Sequence, residues 1–490
     1  MHLRPSSVIH LILVLGVAAL GCATEPSEAQ PHAGGAAAAE AGQGGGLSSG
    51  SGGAAGTGAT SGAPSGGSSG GTTTGGRANG GATAGGTTSD GASTGATTGA
   101  GAAGMGSAGV AGAGMGGASS GGLAGTAGAP LGGAPSGGVA GAGGAAIGGS
   151  GGAPTDGFVH PGVVFNRADL ERMKSNLGVE PWKAGHERFR ARNTASLSYA
   201  MQGPFATVGR EPNLNRSQYE NDMTAVRDQA IMWYLTGTRA YADKAIQILN
   251  AWASTHTTWS GGTPGLLSGD FGYFAATGAE IIRHTGAGWS AADIARVETY
   301  FKDVVYRLNI SVGRPEDPVG EANQGASHLK SMIAIAVFAN DRAKFDYTLN
   351  SFRNGVCTAV TRNFLPTGQN AEAGRDQPHP LGGLQNFAQT AETAWKQGVD
   401  LYGEANNRLL AGSEYWARYN LGGSVPFSRF GDCHLTHTSI SATGRSASIQ
   451  WAPMEMLYTA YAVRKGLAAP DTLRYRNGLA ISENTFFFRQ

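Results

Sequence analysis

Large apolar side chains are almost missing between Pro31 and Gly157, where the chain is nearly all Gly, Ala, Ser and Thr and holds most of its 82 glycines. A segment with so little area to bury does not offset its ordering entropy, so it reads as a flexible tether. Net charge is also small, at +1. That leaves no electrostatic case for nucleic acid or for a membrane surface as partner. The longest apolar run, Val8 to Leu20, is too short for a comfortable membrane span. With Arg4 before it and small residues after it, the run reads as an export signal. Nearly all the Trp, Tyr, Phe and charge lie from Phe158 onward, in a stretch long enough for one large domain with a substantial core. The expected division is a signal peptide at 1–22, a disordered Gly-rich linker at 23–157 and a folded domain at 158–490.

Cysteine is scarce, with three in the chain. The export signal ends in Ala19-Leu20-Gly21-Cys22, which resembles the lipobox of bacterial lipoproteins, with Leu one place nearer the cysteine than in the commonest form. Lipid attached at Cys22 would be the chain's sole membrane contact, and Ala23 would favour the outer membrane. The alternative is an ordinary cleaved signal with an incidental cysteine. Either way the protein is expected outside the cytoplasm, periplasmic or anchored at the outer membrane. Cys357 and Cys433 are then the remaining thiols in an oxidising compartment, as a disulfide or as two separate buried groups.

No alternating strand pattern of comparable length competes with the helical periodicity from Asn166 on. Met223, Val226, Ala230 and Trp233 make one stripe that stops at Gly237; Tyr241, Ala245, Ile248 and Trp252 make the return. Ser290 with Asp293 reads as a capping box before Ile294, Val297, Phe301, Val304 and Leu308. Further stripes run through Leu329, Ile333 and Val337, then Phe345, Leu349 and Phe352, then Phe387, Ala391, Ala394 and Leu401, and a last helix spans roughly Pro453 to Lys465. No fixed sequence period is visible, which argues against a solenoid. Polar loops recur at 203–219, 257–272, 367–383 and 422–446, and loops gathered at one mouth make a cleft. The expected fold is all-α, an α/α toroid or incomplete barrel of helical hairpins.

Two polar clusters break the apolar pattern. Ala371 to Pro380 packs Glu372, Arg375, Asp376, Gln377 and His379 between glycine and proline, and Glu321 to His328 carries Asn323, Gln324 and His328 at a helix start. Buried polar groups must find partners, so such loops make poor core. Gln324 and His328 are four apart and share a helix face, and the free N–H groups of that terminus favour an anion. Arg375 offers a planar fork suited to a carboxylate, or else a structural ion pair with Glu372, Asp376 or Glu392. His379 is held between two prolines. Tyr273, Phe274 and Trp259, in or beside a loop, are candidates to stack on sugar rings. Asp432-Cys433-His434 with His437 matches no usual zinc spacing, so neither metal nor another cofactor is expected.

With these residues in view, most of His160 to about Lys465 resembles the alginate lyase superfamily of polysaccharide lyases. The likeness starts at His160-Pro161-Gly162-Val163 and is strongest at Asn323-Gln324-Gly325, Gly374-Arg375-Asp376-Gln377-Pro378-His379, Ala391-Glu392, Gln397 to Tyr402 and Tyr419-Asn420-Leu421-Gly422. It implies an α/α toroid and cleavage of an acidic, uronate-containing polysaccharide by β-elimination. Asn323, Gln324 and Arg375 would then neutralise the uronate carboxylate, His328 and His379 would move protons, and Gln377, Asp376 and Tyr273 would contact substrate. Some relatives place a tyrosine just after the Arg-Asp-Gln-x-His motif. This chain continues Pro380-Leu381-Gly382-Gly383, so that tyrosine has no matched position; Tyr273 or Tyr419 could serve from elsewhere. Two other readings stay open: an inverting glycosidase using opposed carboxylates such as Glu321 and Asp376, and a glycan-binding lipoprotein without catalysis.

Overall fold

Some helices of this chain bury nearly every residue while their sequence neighbours bury one stripe, and that contrast sorts them into two layers. Fourteen of the 17 residues of Ala322–Phe338 are buried, against five of 13 in the following helix Arg342–Asn354. A helix apolar all round belongs inside, whereas one with a single stripe covers it from outside. The computed structural model describes residues 157–431, 433 and 436–490, all within the unit 133–490. The signal peptide read at 1–22 and the linker read at 23–157, Gly157 excepted, lie outside the described residues, as do Asp432 and His434.

In chain order the elements are α1 (Arg167–Ser175), α2 (Trp182–Arg190), β1 (Thr207–Gly209), α3 (Arg216–Thr236), α4 (Arg239–Thr255), β2 (Thr258–Ser260), α5 (Gly265–His284), α6 (Ala291–Tyr300) and α7 (Arg307–Asn309). There follow α8 (Ala322–Phe338), α9 (Arg342–Asn354), α10 (Val360–Asn363), α11 (Pro378–Lys396), α12 (Glu404–Asn420), α13 (Met454–Tyr458), α14 (Pro470–Asn477) and α15 (Glu483–Phe488). Wide π-turn segments at Phe301–Tyr306 and Thr459–Arg464 continue α6 and α13. Helices α3, α5, α8 and α11 pack side by side as the inner layer, with α4 outside α3 and α5, α9 outside α8, and α12 outside α11. The architecture is an all-α toroid of helical hairpins. Among the described residues the sheet is limited to β1 and β2, a parallel pair with Val208 opposite Trp259 that ties two of the expected polar loops together. No described helix is long and apolar enough to cross a membrane.

The stripes are legible in the result. Gly237 ends α3 at φ 69°, the left-handed stop its position requires. Ser290 accepts the Asp293 N–H at the start of α6. Close approach between α5 and α8 depends on small residues, since a Cβ added at Gly269 would lie 2.2 Å from Ser327 Oγ, and one at Gly265 2.5 Å from His328 Nε2. Glycine there lets two inner helices touch backbone to side chain, which the outer helices have no need of.

Where the described domain begins, His160 is clasped to the far end of α5. Its Nδ1 lies 2.5 Å from Glu280 Oε1 and its Nε2 2.8 Å from Asn340 Oδ1. Both partners are acceptors, so the ring donates from both nitrogens and is an imidazolium. Burial works against that charge, but the Glu280 carboxylate outweighs it and holds the His160 pKa above its ordinary value. His284 stacks on the same ring with centroids 4.1 Å apart, and burial, with His160 beside it, lowers its pKa to about 4. One histidine of the stack therefore carries charge. A raised folded pKa contributes stability that is complete below the unfolded value of about 6.5 and is lost as pH rises through the folded value. The melting-temperature gap between wild type and His160→Gln should be widest near pH 5.5 and close as pH rises through the folded value; a gap that widens with pH would refute the clasp.

Candidate functional site

The start of α8 is strained where the site lies. Gly320 has φ 106° and Ala322 φ 54°, and a non-glycine residue held in the left-handed region costs about 1–3 kcal/mol. The kink turns Asn323 toward Glu372. Its backbone N–H donates to Glu372 Oε2 at 3.0 Å, and its side-chain Nδ2 lies 3.2 and 3.1 Å from the two carboxylate oxygens. The two protons of an amide point about 120° apart, so a single one bridges both oxygens and the other is left for a ligand. Asn386 Nδ2 donates to the Asn323 carbonyl at 3.2 Å, while Asn386 Oδ1 accepts from Lys330 Nζ at 2.6 Å. Lys330 in turn sits 2.8 Å from Asp270 Oδ1. Asn323 is thus fixed at backbone and side chain.

Buried Glu372 joins the two polar clusters. Besides Asn323 it accepts Arg375 Nη1 at 3.1 Å, and its own N–H donates to Asn370 Oδ1 at 2.8 Å. Arg375 is held by one nitrogen while its side chain stays 52% exposed, so most of the guanidinium fork faces outward. Its Nε lies 4.0 Å from Asp376 Oδ2. Both readings of Arg375 hold at once: it makes the ion pair with Glu372 and keeps donors to spare.

Asp376 turns the other way and organises His379. One carboxylate oxygen accepts the His379 backbone N–H at 2.8 Å, which caps the start of α11, and the other lies 2.5 Å from His379 Nδ1. Burial works against charge on Asp376, but the hydrogen bonds from His379 outweigh it and lower the carboxyl pKa, so Asp376 is ionised. An ionised acceptor holds a proton on Nδ1, so Nε2 is the ring nitrogen that can exchange one with a ligand. His379 shares a helix face with Gly382 and Gly383, three and four residues on, and Cβ atoms added at those glycines would lie 4.0 and 3.9 Å from Asn323 Cβ. His379 therefore borders the Asn323–Glu372–Arg375 junction.

Three sequence expectations are corrected by burial. His328 is completely buried one turn below Gln324, with Nδ1 2.5 Å from the Val319 carbonyl and Nε2 against Gly265 of α5. Burial lowers its pKa, so it is a neutral core group with no route to a ligand in this arrangement. Tyr273 lies inside α5, not beside a loop, and is buried, so its ring offers no face to a sugar. Phe274 is half-buried in the same helix under the Arg227 guanidinium, 4.0 Å from ring centroid, and Trp259 is half-buried in β2. Gln377 is also spent: Nε2 donates to the Ser441 carbonyl at 2.8 Å and Oε1 accepts from Asn420 at 3.0 Å. It ties the site loop to the 422–446 loop. Glu321 pairs with Arg314 at 3.0 Å, and Tyr419 is buried under Arg445, 4.1 Å from its ring centroid.

Cys357 and Cys433 form a disulfide with Cα atoms 5.6 Å apart, so the Cys433 sulfur is not a thiolate available to a metal. Glu372, Lys330 and Asn386 are the site residues the sequence reading passed over or treated as mere scaffold. A signal existed for one of them: Lys330 is the single Lys or Arg of α8, just ahead of the apolar run Met332 to Phe338, and a buried ammonium demands partners.

Residues 207–427 match the family model for alginate lyase. In structure the chain is similar to an alginate lyase from Bacteroides ovatus, with a TM-score of 0.50 and 12% identity over 67% of this chain and 99% of that one. It is also similar to alginate lyase A1-III from Sphingomonas species A1, with a TM-score of 0.48 and 14% identity over 66% of this chain and 95% of that one. A variant of the latter complexed with a tetrasaccharide aligns with a TM-score of 0.46 at 16% identity, over 66% of this chain and 94% of that one. At 12% identity the likeness to the Bacteroides ovatus enzyme speaks for the fold. No curated protein matches the sequence.

Proposed function

Because this helical domain belongs to the alginate lyase superfamily and is a polysaccharide lyase, we propose that it cleaves alginate or a related polyuronate by β-elimination at the Asn323–Glu372–Arg375 junction. The observation that carries this reading is the pairing of two devices on one edge. Free donors of Asn323 and Arg375, both braced by Glu372, lie beside a histidine whose proton position is set by Asp376. The C5 proton of a uronate is very weakly acidic because its removal builds charge onto the neighbouring carboxylate. The second amide proton of Asn323, the half-buried amide of Gln324 and the Arg375 fork bind that carboxylate and stabilise the enolate-like transition state. His379 Nε2 takes the C5 proton. The released electron pair forms the C4–C5 double bond, the C4–O4 bond breaks, and the leaving oxygen takes up a proton.

The product decides the matter. Incubation with mannuronate-, guluronate- and glucuronate-rich polymers should yield an unsaturated uronate absorbing in the ultraviolet on at least one of them. New reducing ends without that absorbance would mean hydrolysis, and unchanged polymer that still binds would mean a glycan-binding protein. We also infer from the lipobox-like Ala19 to Cys22 and the Gly-rich run that follows that the lyase is exported and tethered by lipid at Cys22. Cys22→Ala should move it from the membrane fraction to the soluble one; an unchanged distribution would dismiss the anchor.

A further inference from the structure

The proposed elimination needs two proton transfers, and His379 accounts for one. On the basis of that reading, we propose that His437 is the second catalytic histidine, the acid that protonates the leaving O4.

His437 comes from the long loop after α12, far in sequence from either polar cluster, yet it lies on the site loop. A Cβ added at Gly374 would fall 2.1 Å from His437 Cβ and 2.5 Å from its Cγ. The imidazole therefore rests on the backbone of the residue next to Arg375, and only glycine at 374 leaves it room. The loop is pinned on both sides of this contact. Ahead of it, Cys433 is bonded to Cys357 and its carbonyl accepts Arg314 Nη2 at 2.9 Å, while Arg314 Nε reaches Glu321, two residues before Asn323, at 3.0 Å. Beyond it, Ser441 N–H donates to the Ala373 carbonyl at 3.0 Å, and Gln377 holds Ser441 and Thr443 at 2.8 and 2.9 Å. His437 is thus suspended between the Asn323 side of the site and the Arg375 side.

Its bonding state sets it apart. Asn323 and Arg375 each spend a donor on Glu372, His379 spends Nδ1 on Asp376, and Lys330 is shared between Asp270 and Asn386. His437 is half-buried and its ring has no hydrogen-bond partner among the described residues. A half-buried histidine held in place with both nitrogens uncommitted is suited to exchange a proton with a ligand. Space exists for that ligand. At Gly382, where some relatives carry tyrosine nearby, an added Cβ would meet nothing nearer than Asn323 Cβ at 4.0 Å. A sugar on that face would have His379 on one side and His437 on the other. The N–H of His437 transfers its proton to O4 as the C4–O4 bond breaks; His379 then releases the C5 proton to solvent and His437 takes one back from solvent, so the cycle balances without a further reactant.

A general acid is identified by its dependence on the leaving group. His437→Gln should lower turnover of the polymer by about 10²–10⁴-fold, with little change in KM. On a uronate carrying a nitrophenolate at C4, which leaves without a proton, the same variant should fall by no more than about fivefold. The pH–rate profile should also lose one limb. His379→Ala should lose activity on both substrates, since C5 proton removal is common to them. If wild type forms no unsaturated product from any polyuronate, the proposed function itself fails. If wild type is active and folded His437→Gln matches it on polymer, or loses equally on both substrates, the acid assignment is overturned. Should His437→Gln not fold, Gly374→Ala supplies the same test by displacing the ring, and an unchanged ratio between the two substrates would refute the proposal.

Discussion

Turnover on a polyuronate should fall by about 10²–10⁴-fold when His379 is replaced by alanine, the usual contribution of a positioned acid or base. The effect is expected in kcat, because His379 is assigned to proton transfer and the carboxylate is bound by other residues. Folding should be nearly untouched. The ring is 28% exposed and its hydrogen bond goes to Asp376 alone, while the cap on α11 uses the backbone N–H, which alanine retains. The check is kcat on polymer alongside the melting temperature. A variant that melts normally and turns over at the wild-type rate would take His379 out of the mechanism.

A second large loss is expected from Arg375→Lys. Lysine keeps the charge but not the planar fork, so it cannot hold Glu372 and grip a carboxylate in two-point fashion together. If the guanidinium stabilises charge that grows in the transition state, kcat should drop by about a hundredfold or more with a smaller change in KM. The rival account makes Arg375 a brace for Glu372, and it predicts lost stability instead. Half the Arg375 side chain is exposed, and lysine keeps a positive charge beside buried Glu372, so the carboxylate is not left unpaired. The melting temperature should therefore move little. Early melting with normal turnover of the folded protein would leave Arg375 as scaffold only.

The helical stripes were readable because each outer helix buries one face, and period alone reports that. Helix α5 was harder. Gly265, Gly269, Gly272 and Gly278 lower helix propensity, and the segment up to Gly272 reads as loop, although those glycines are what let α5 meet α8 and α3. For this reason the sequence places Tyr273 beside a loop, whereas it belongs to the core. His328 shows a different limit. Its spacing from Gln324 gave the helix face correctly, but one turn separates the half-buried rim from the region covered by α5, and spacing carries no information on depth. The two polar clusters were visible as clusters. Their junction at Glu372 was not, because it pairs residues 49 apart in sequence. The link from Lys330 to Asn386 spans 56 residues, and the disulfide 76. His437 stood in a group dismissed for its metal spacing, and its contact with Gly374 exists only in the folded chain.

The central claim is that a uronate carboxylate is held between Asn323 and Arg375 with its C5–H facing residue 379. A crystal structure of His379→Ala soaked with a uronate tetrasaccharide tests it most directly. The account predicts the carboxylate of one sugar within hydrogen-bond distance of Asn323 Nδ2 and the Arg375 guanidinium, with C5 turned toward the vacated imidazole. An oligosaccharide bound elsewhere, for instance with its carboxylates on Arg227 beside Phe274 and none on Asn323 or Arg375, would contradict it.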